Sequence, residues 1–160
     1  MLGNCIENVR NMMPLVHNIT NYVTVNDVAN VLLACGGSPI MADEPEEVEE
    51  ITSICGGLNI NIGTLNKRSV EAMFLAGKKA NELNHKLLLD PVGAGASNLR
   101  TNTAIKLMEQ LKFDVIRGDI PINSIDAHYL LSDNVGYIKV GKFARNTYNE
   151  FLTALVELQS

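Results

Sequence analysis

An aspartate closes the apolar run Leu87-Leu88-Leu89-Asp90, and the chain passes straight into Pro91-Val92-Gly93-Ala94-Gly95-Ala96. A buried parallel strand ending this way delivers a carboxylate and the amides of a glycine turn to the rim of an α/β sheet, where ligands bind. A second apolar pair, in Asp114-Val115-Ile116-Arg117-Gly118-Asp119, delivers a cation in the same manner. Asp90 then suits the metal or phosphate side of a site. Gly93 and Gly95 suit an anion cradle of backbone amides, and Arg117 suits bidentate contact with a phosphate. A plainer reading stays open, in which Asp90 caps a tight turn and Arg117 is a surface arginine paired with Asp119.

Two further clusters could touch a ligand. His17-Asn18-Ile19-Thr20-Asn21 gathers hydrogen-bonding side chains where the first long helix opens. Thr20 or Asn18 as N-cap explains much of it, with His17 a structural hydrogen-bonder. Met41 ends a short apolar run after Gly36, Gly37 and Pro39; it is either an adaptable wall for a small flat ligand or core filler. His85 and His128 are isolated and receive no role. Cys5, Cys35 and Cys55 are odd in number, far apart and set among aliphatic residues. They read as buried, inert thiols rather than a disulfide framework or a zinc site.

The elements that must carry these residues follow from the changing apolar period. Val23, Val28, Val31, Leu32 and Cys35 recur at helical spacing up to Gly36-Gly37, a C-terminal signal. Glu44-Pro45-Glu46-Glu47 places a proline and acids in a first helical turn, and Val48, Ile51 and Ile54-Cys55 mark its buried face. The acidic run 44–50 is a solvated side. Leu58 to Ile62 alternates as a strand, and Gly63-Thr64 leads into a helix over 67–83. After the strand at 87–90, Thr101 N-caps a helix to Leu111 with Ile105, Met108 and Leu111 as its stripe. A strand at 114–117, with Val115 and Ile116 buried, closes the series. Beyond Asp119 the chain changes character: 124–132 reads as a short helix, 136–140 as a strand and 149–158 as an amphipathic helix. Repeated βα units predict a three-layer α/β fold, a parallel sheet with helices on both faces. The expectation is one domain over 1–160, with a regular core to 119 and a divergent tail over 120–160.

Bulk properties exclude other classes. The 160 residues carry 13 Lys and Arg against 18 Asp and Glu, a formal charge of -5, which gives no electrostatic case for a nucleic-acid partner. No apolar run approaches the roughly 20 residues that span a bilayer, and the first residues lack the basic and apolar sections of a signal peptide. A cytoplasmic protein with no membrane partner is the expectation.

Leu15-Val16-His17-Asn18-Ile19-Thr20-Asn21, Gly37-Ser38-Pro39-Ile40-Met41-Ala42, Asn61-Ile62-Gly63-Thr64-Leu65, Asp90 through Ala96 and Val115-Ile116-Arg117-Gly118 together resemble the hydroxyethylthiazole kinase family, in order and approximate spacing. The resemblance implies a ribokinase-like fold. It also implies Mg2+-dependent transfer of the ATP γ-phosphate to the hydroxyl of 4-methyl-5-(2-hydroxyethyl)thiazole, a thiamine salvage step. By motif position Met41 contacts the thiazole with Asn21, Gly63 and Thr64 nearby, Asp90 serves the metal, and Arg117 with Gly93 and Gly95 serves ATP phosphates; no residue is assigned to the chemical step. A homotrimer with the thiazole pocket between subunits is also implied. The chain departs from the pattern where Asp119 and Ile122 replace an asparagine and a metal-organising glutamate; an isoleucine offers magnesium no hard oxygen. The family's glycine-rich turn ending in cysteine, and most of its adenine pocket, find no counterpart. Because 146–158 resembles the family's terminal helix, the fold is expected to be truncated or internally deleted. The competing expectations are a non-catalytic thiazole-binding or assembly module and a kinase of another small alcohol.

Overall fold

Strand and helix alternate from residue 15 to 116 because apolar runs two to five residues long are separated by amphipathic stretches with glycine or polar stops. The computed structural model describes residues 2–118, 124–132, 135–141 and 147–159. In chain order the first part forms α1 (Leu2–Met12), β1 (Leu15–Ile19), α2 (Val25–Cys35), β2 (Ser38–Met41), α3 (Val48–Ile54), β3 (Gly57–Asn61), α4 (Lys67–Glu82), β4 (Lys86–Asp90), α5 (Asn98–Gln110) and β5 (Val115–Ile116). β1 to β5 make one parallel sheet in the order β2-β1-β3-β4-β5. The α/β expectation holds.

The two faces of the sheet differ. Ile19, Leu58, Ile60, Leu87 and Leu89 point to the side of α3, α4 and α5 and join Val48, Met73, Ala76, Ala80, Ala104 and Leu107 in one apolar core. Burial at this density, where truncating a leucine to alanine costs about 2–5 kcal/mol, fixes the register of β1, β3 and β4. The opposite face carries α2 and an open groove of about 760 Å3 lined by residues such as Val16, Val28, Val31, Leu88 and Val115. At the end of α2, Gly36 adopts φ 97° and its N–H closes on Leu33 O, a left-handed stop reserved for glycine.

Several sequence expectations are corrected. β5 is not buried, since Val115 is 54% and Ile116 48% exposed. α5 starts three residues early, at Asn98, because Ser97 rather than Thr101 accepts the Arg100 N–H as N-cap. Its buried stripe is Thr103, Ala104, Leu107 and Leu111, whereas Ile105 and Met108 face outward. Ile54 is likewise exposed. Neither Asn18 nor Thr20 caps α2: Asn18 lies within β1 and donates to Val16 O. Cys5 and Cys35 are exposed, and only Cys55 is buried, where desolvation pushes its thiol up. α1 had no counterpart in the sequence reading.

Contacts divide the chain into two compact units at Gly118 and Asp119. In the second unit 125–132 is a strand, not a helix: β6 (Ile125–Ser132) pairs antiparallel with β7 (Val135–Val140), and α6 (Thr147–Gln159) packs on the pair. The run Ile125-Asp126-Ala127-His128-Tyr129 alternates with period two, and Tyr129 stacks opposite Tyr137 with centroids 5.1 Å apart. Cross-strand aromatic pairing overrides the weak helical pattern. Asp119 and Ile122 lie outside the described residues.

Candidate functional site

The carboxyl ends of β1, β3, β4 and β5 lie side by side, and one run of polar contacts crosses them. After β1, Asn21 Oδ1 accepts the N–H groups of Val23 and Thr24, 3.0 and 3.1 Å away, so this side chain rather than Asn18 or Thr20 sets the entry to α2. Its Nδ2 donates to Asn61 Oδ1 at 3.0 Å. Asn61, at the end of β3 and buried, also accepts the Gly63 N–H at 2.8 Å and donates from Nδ2 to Asp90 Oδ2 at 2.8 Å. Asp90 closes β4 and takes Arg117 Nη1 at 2.9 and 3.1 Å. The Arg117 side chain is 68% exposed and that of Asp90 19%. The Arg117 N–H donates to Leu89 O, which carries its backbone one step past β5 along β4.

The glycines at this rim have distinct tasks. A Cβ on Gly63 would stand 2.9 Å from both Asn21 Cβ and Asn61 Oδ1, so only glycine lets the two amides meet there. Gly93 and Gly95 hold φ 71° and 93°, a left-handed turn open to glycine. The Gly95 N–H is engaged by Thr101 Oγ1 at 2.8 Å, and the N–H groups of Val92, Ala94 and Ala96 close on carbonyls of their own turn. The amides of Val92, Ala94, Gly95 and Ala96 are therefore engaged within the protein.

Met41 stands apart from this run. β1 and β3 separate β2 from β4, so about three strand spacings, ~14 Å, lie between the ends of β2 and β4. Met41 lines a small pocket of about 110 Å3 with Asn18, Thr20, Tyr22, Val25, Ala42 and Asp43. The Thr20 hydroxyl oxygen there is buried with no hydrogen-bond partner among the described residues. Thr64 approaches the same loop, its Oγ1 3.4 Å from the Tyr22 N–H. His17 does not face the rim. It is fully buried between Thr52 Oγ1 and Ala42 O, both at 2.9 Å, and burial pushes its pKa down. His128 pairs with Glu157 in the second unit.

A sequence model described as the hydroxyethylthiazole kinase family matches residues 6–125. The chain belongs to the hydroxyethylthiazole kinase family. Curated relatives named hydroxyethylthiazole kinase include one from Clostridium acetobutylicum, 68% identical over 120 residues, which is 75% of this chain and 44% of that protein. Another, from Clostridium tetani, is 58% identical over 73% of this chain and 43% of its own length. The structure described as a hydroxyethylthiazole kinase protein from Pyrococcus horikoshii OT3 superposes with a TM-score of 0.70 at 44% identity, covering 72% of this chain and 45% of that one. The chain thus spans less than half the length of the relatives it matches.

Whether these residues fit the magnesium that the resemblance implies is a question of donors. Among the described residues no group of three or more His, Cys, Asp or Glu side chains converges on one point. Asp90 supplies one carboxylate at the rim, held by Asn61. Magnesium is commonly bound through one or two carboxylates with substrate phosphates and water completing its shell, so the donor set fits an ion brought with a nucleotide and not a metal held by protein alone. Among the described residues no helix is long and apolar enough to cross a membrane.

Sequence reasoning located Asp90 and Arg117 by their strand ends. It missed Asn61 as the link between them and Asn21, although a polar residue ending an alternating strand was a signal. It missed Arg100 altogether. The Arg100 guanidinium donates from Nη1 to Val92 O at 3.1 Å and from Nη2 to Gly63 O at 2.7 Å.

Proposed function

We propose that this chain forms the substrate and phosphate rim of a hydroxyethylthiazole kinase, which transfers the ATP γ-phosphate to the hydroxyl of 4-methyl-5-(2-hydroxyethyl)thiazole in thiamine salvage. The observation that carries the reading is the unbroken contact run from Asn21 through Asn61 and Asp90 to Arg117, on four neighbouring parts of one sheet rim. Phosphoryl transfer needs positioning and charge neutralisation more than covalent chemistry from the protein. Arg117, exposed yet tethered at Asp90, holds phosphate oxygens; Gly93 and Gly95 shape the turn against which they lie. Asp90 offers its carboxylate to Mg2+, which when bound neutralises phosphate charge. Met41 forms the apolar wall of the thiazole side, with Asn21, Gly63 and Thr64 at its rim.

The thiazole side also supports the homotrimer. Met41 ends β2, an outer strand, and is 36% exposed beside a pocket of about 110 Å3. Ligand pockets usually enclose about 300 Å3 or more, so a neighbouring subunit completes the wall. A cytoplasmic location accords with the soluble substrates.

A coupled assay of ADP release tests the reading. With MgATP, release is expected to depend on the thiazole alcohol, and Asp90→Asn and Arg117→Ala each to lower it by about 100-fold or more. Release that ignores the alcohol, or that survives both substitutions, removes the reading.

A further inference from the structure

Resting on the kinase reading, we propose that Arg100 is a positioning residue whose guanidinium locks the thiazole-side turn to the turn carrying Asp90. Its two donors go to the carbonyls of residues that follow two different strands, Gly63 after β3 and Val92 after β4. The contacts close a ring. From Arg100 Nη2 the path runs to Gly63 O, across that residue to its N–H, and on to Asn61 Oδ1. From Asn61 Nδ2 it runs to Asp90 Oδ2, along the backbone of Pro91 to Val92, and from Val92 O back to Arg100 Nη1. Gly63 is thereby gripped at both its N–H and its carbonyl, and Asp90 cannot shift without straining the grip.

The sequence makes room for this device. A Cβ on Gly93 would lie 2.5 Å from Arg100 Nη1 and 3.2 Å from Cδ, so the left-handed glycine in the turn serves to admit the arginine. Arg100 stands in the first turn of α5, which Ser97 caps through the Arg100 N–H itself. Backbone and side chain of one residue are therefore fixed together. Among the described residues Arg100 has no carboxylate partner within ion-pair distance, so its work is done on carbonyl dipoles. A planar fork reaches two carbonyls at once, whereas an ammonium on a flexible stem cannot hold that geometry.

The alcohol bound near Gly63 and the phosphate bound near Asp90 must meet in line, and a misplacement of about 1 Å costs on the order of 100-fold in rate. Arg100→Lys and Arg100→Met are compared with the unsubstituted protein by amide exchange without ligands, and by turnover of the thiazole alcohol with MgATP. Exchange at the Gly63 N–H is expected to quicken on the order of tenfold while Ile60 and Leu89 in the strands are unchanged. The turnover number kcat falls about 10- to 100-fold, with KM for either substrate moving less than about threefold and calorimetric stoichiometry intact. Unchanged exchange at Gly63 overturns the proposal, as does unchanged kcat in variants whose Gly63 exchange has quickened. Should Arg100→Met not fold, Arg100→Lys keeps both readouts. Absence of alcohol-dependent turnover in the unsubstituted protein instead overturns the kinase reading, and with it the reaction role of Arg100.

Discussion

His17 is a fully buried polar side chain, and its contacts dictate its chemistry. Nε2–H donates to Ala42 O and Nδ1 accepts from the Thr52 hydroxyl, a pairing that suits neutral imidazole. Burial lowers its pKa, with the Ala42 bond and Glu47 opposing more weakly. An unfolded chain takes up a proton near pH 6.5 and the folded one resists it. The stabilising contribution is therefore complete above that pH and is lost as pH falls below it toward the lower folded value. Thermal midpoints measured between pH 7.5 and 5 are expected to fall, and His17→Gln to flatten the profile in that window; parallel profiles contradict the argument. Thr20 offers the converse case. Its buried hydroxyl oxygen has no hydrogen-bond partner among the described residues, so Thr20→Val is expected to leave stability unchanged or to raise it by up to ~1 kcal/mol, as read from denaturant midpoints. At this scale the sequence revealed residue types at strand ends but not partners. Asp90 and Arg117 were legible because each follows an apolar run. Arg100 was not, because a side chain bonding to carbonyls of distant turns leaves no mark in spacing.

Helix positions were legible wherever one face is buried and uncertain wherever caps decide. α4 carries both signals: Asn66 and Ser69 form a reciprocal capping box, and Met73, Ala76 and Ala80 face the core. α5 shows the limit, since Ser97 and Thr101 are both plausible caps by type and only the partner of the Arg100 N–H separates them. Small residues in α4 are packing devices. Gly77 lies directly under Leu111, and a Cβ there would clash with Leu111 Cδ1. In an open helix glycine to alanine gains about 1 kcal/mol; here overpacking of about 1–3 kcal/mol is the larger effect. Gly77→Ala is expected to destabilise, and Leu111→Ala in the same chain to cost less than the sum of the two single changes. Additive midpoints in the double-mutant cycle contradict close packing of α4 on Leu111. The second unit's first strand was misread for a related reason: its apolar residues satisfy both periods, and the pairing with β7 that selects the strand lies several residues further on.

At the scale of the whole molecule, two units of unequal size share one chain, residues 1–118 and 119–160. A unit of 42 residues buries too little surface to be strongly stable alone. Three of the four tyrosines, Tyr129, Tyr137 and Tyr148, lie in it, and the chain has no tryptophan. Urea unfolding followed by tyrosine emission is therefore expected to precede unfolding followed by far-ultraviolet dichroism, which reports mainly α1 to α5. Coincident transitions would show one cooperative body. The sheet order and its apolar face were legible because strands buried against helices read as aliphatic runs; the open groove beside α2 was not, since Val28, Val31 and Val115 carry the same apolar signal whether covered or bare. On the proposed function a thiazole alcohol would bind at the rim that Asn21, Asn61, Asp90 and Arg117 build. Calorimetric titration of the protein with that alcohol, alone and in the presence of MgATP, tests this most directly. Saturable heat at millimolar alcohol or below, weakened by Asn21→Ala, is the predicted result; no saturable heat at millimolar alcohol, with or without the nucleotide, would contradict it.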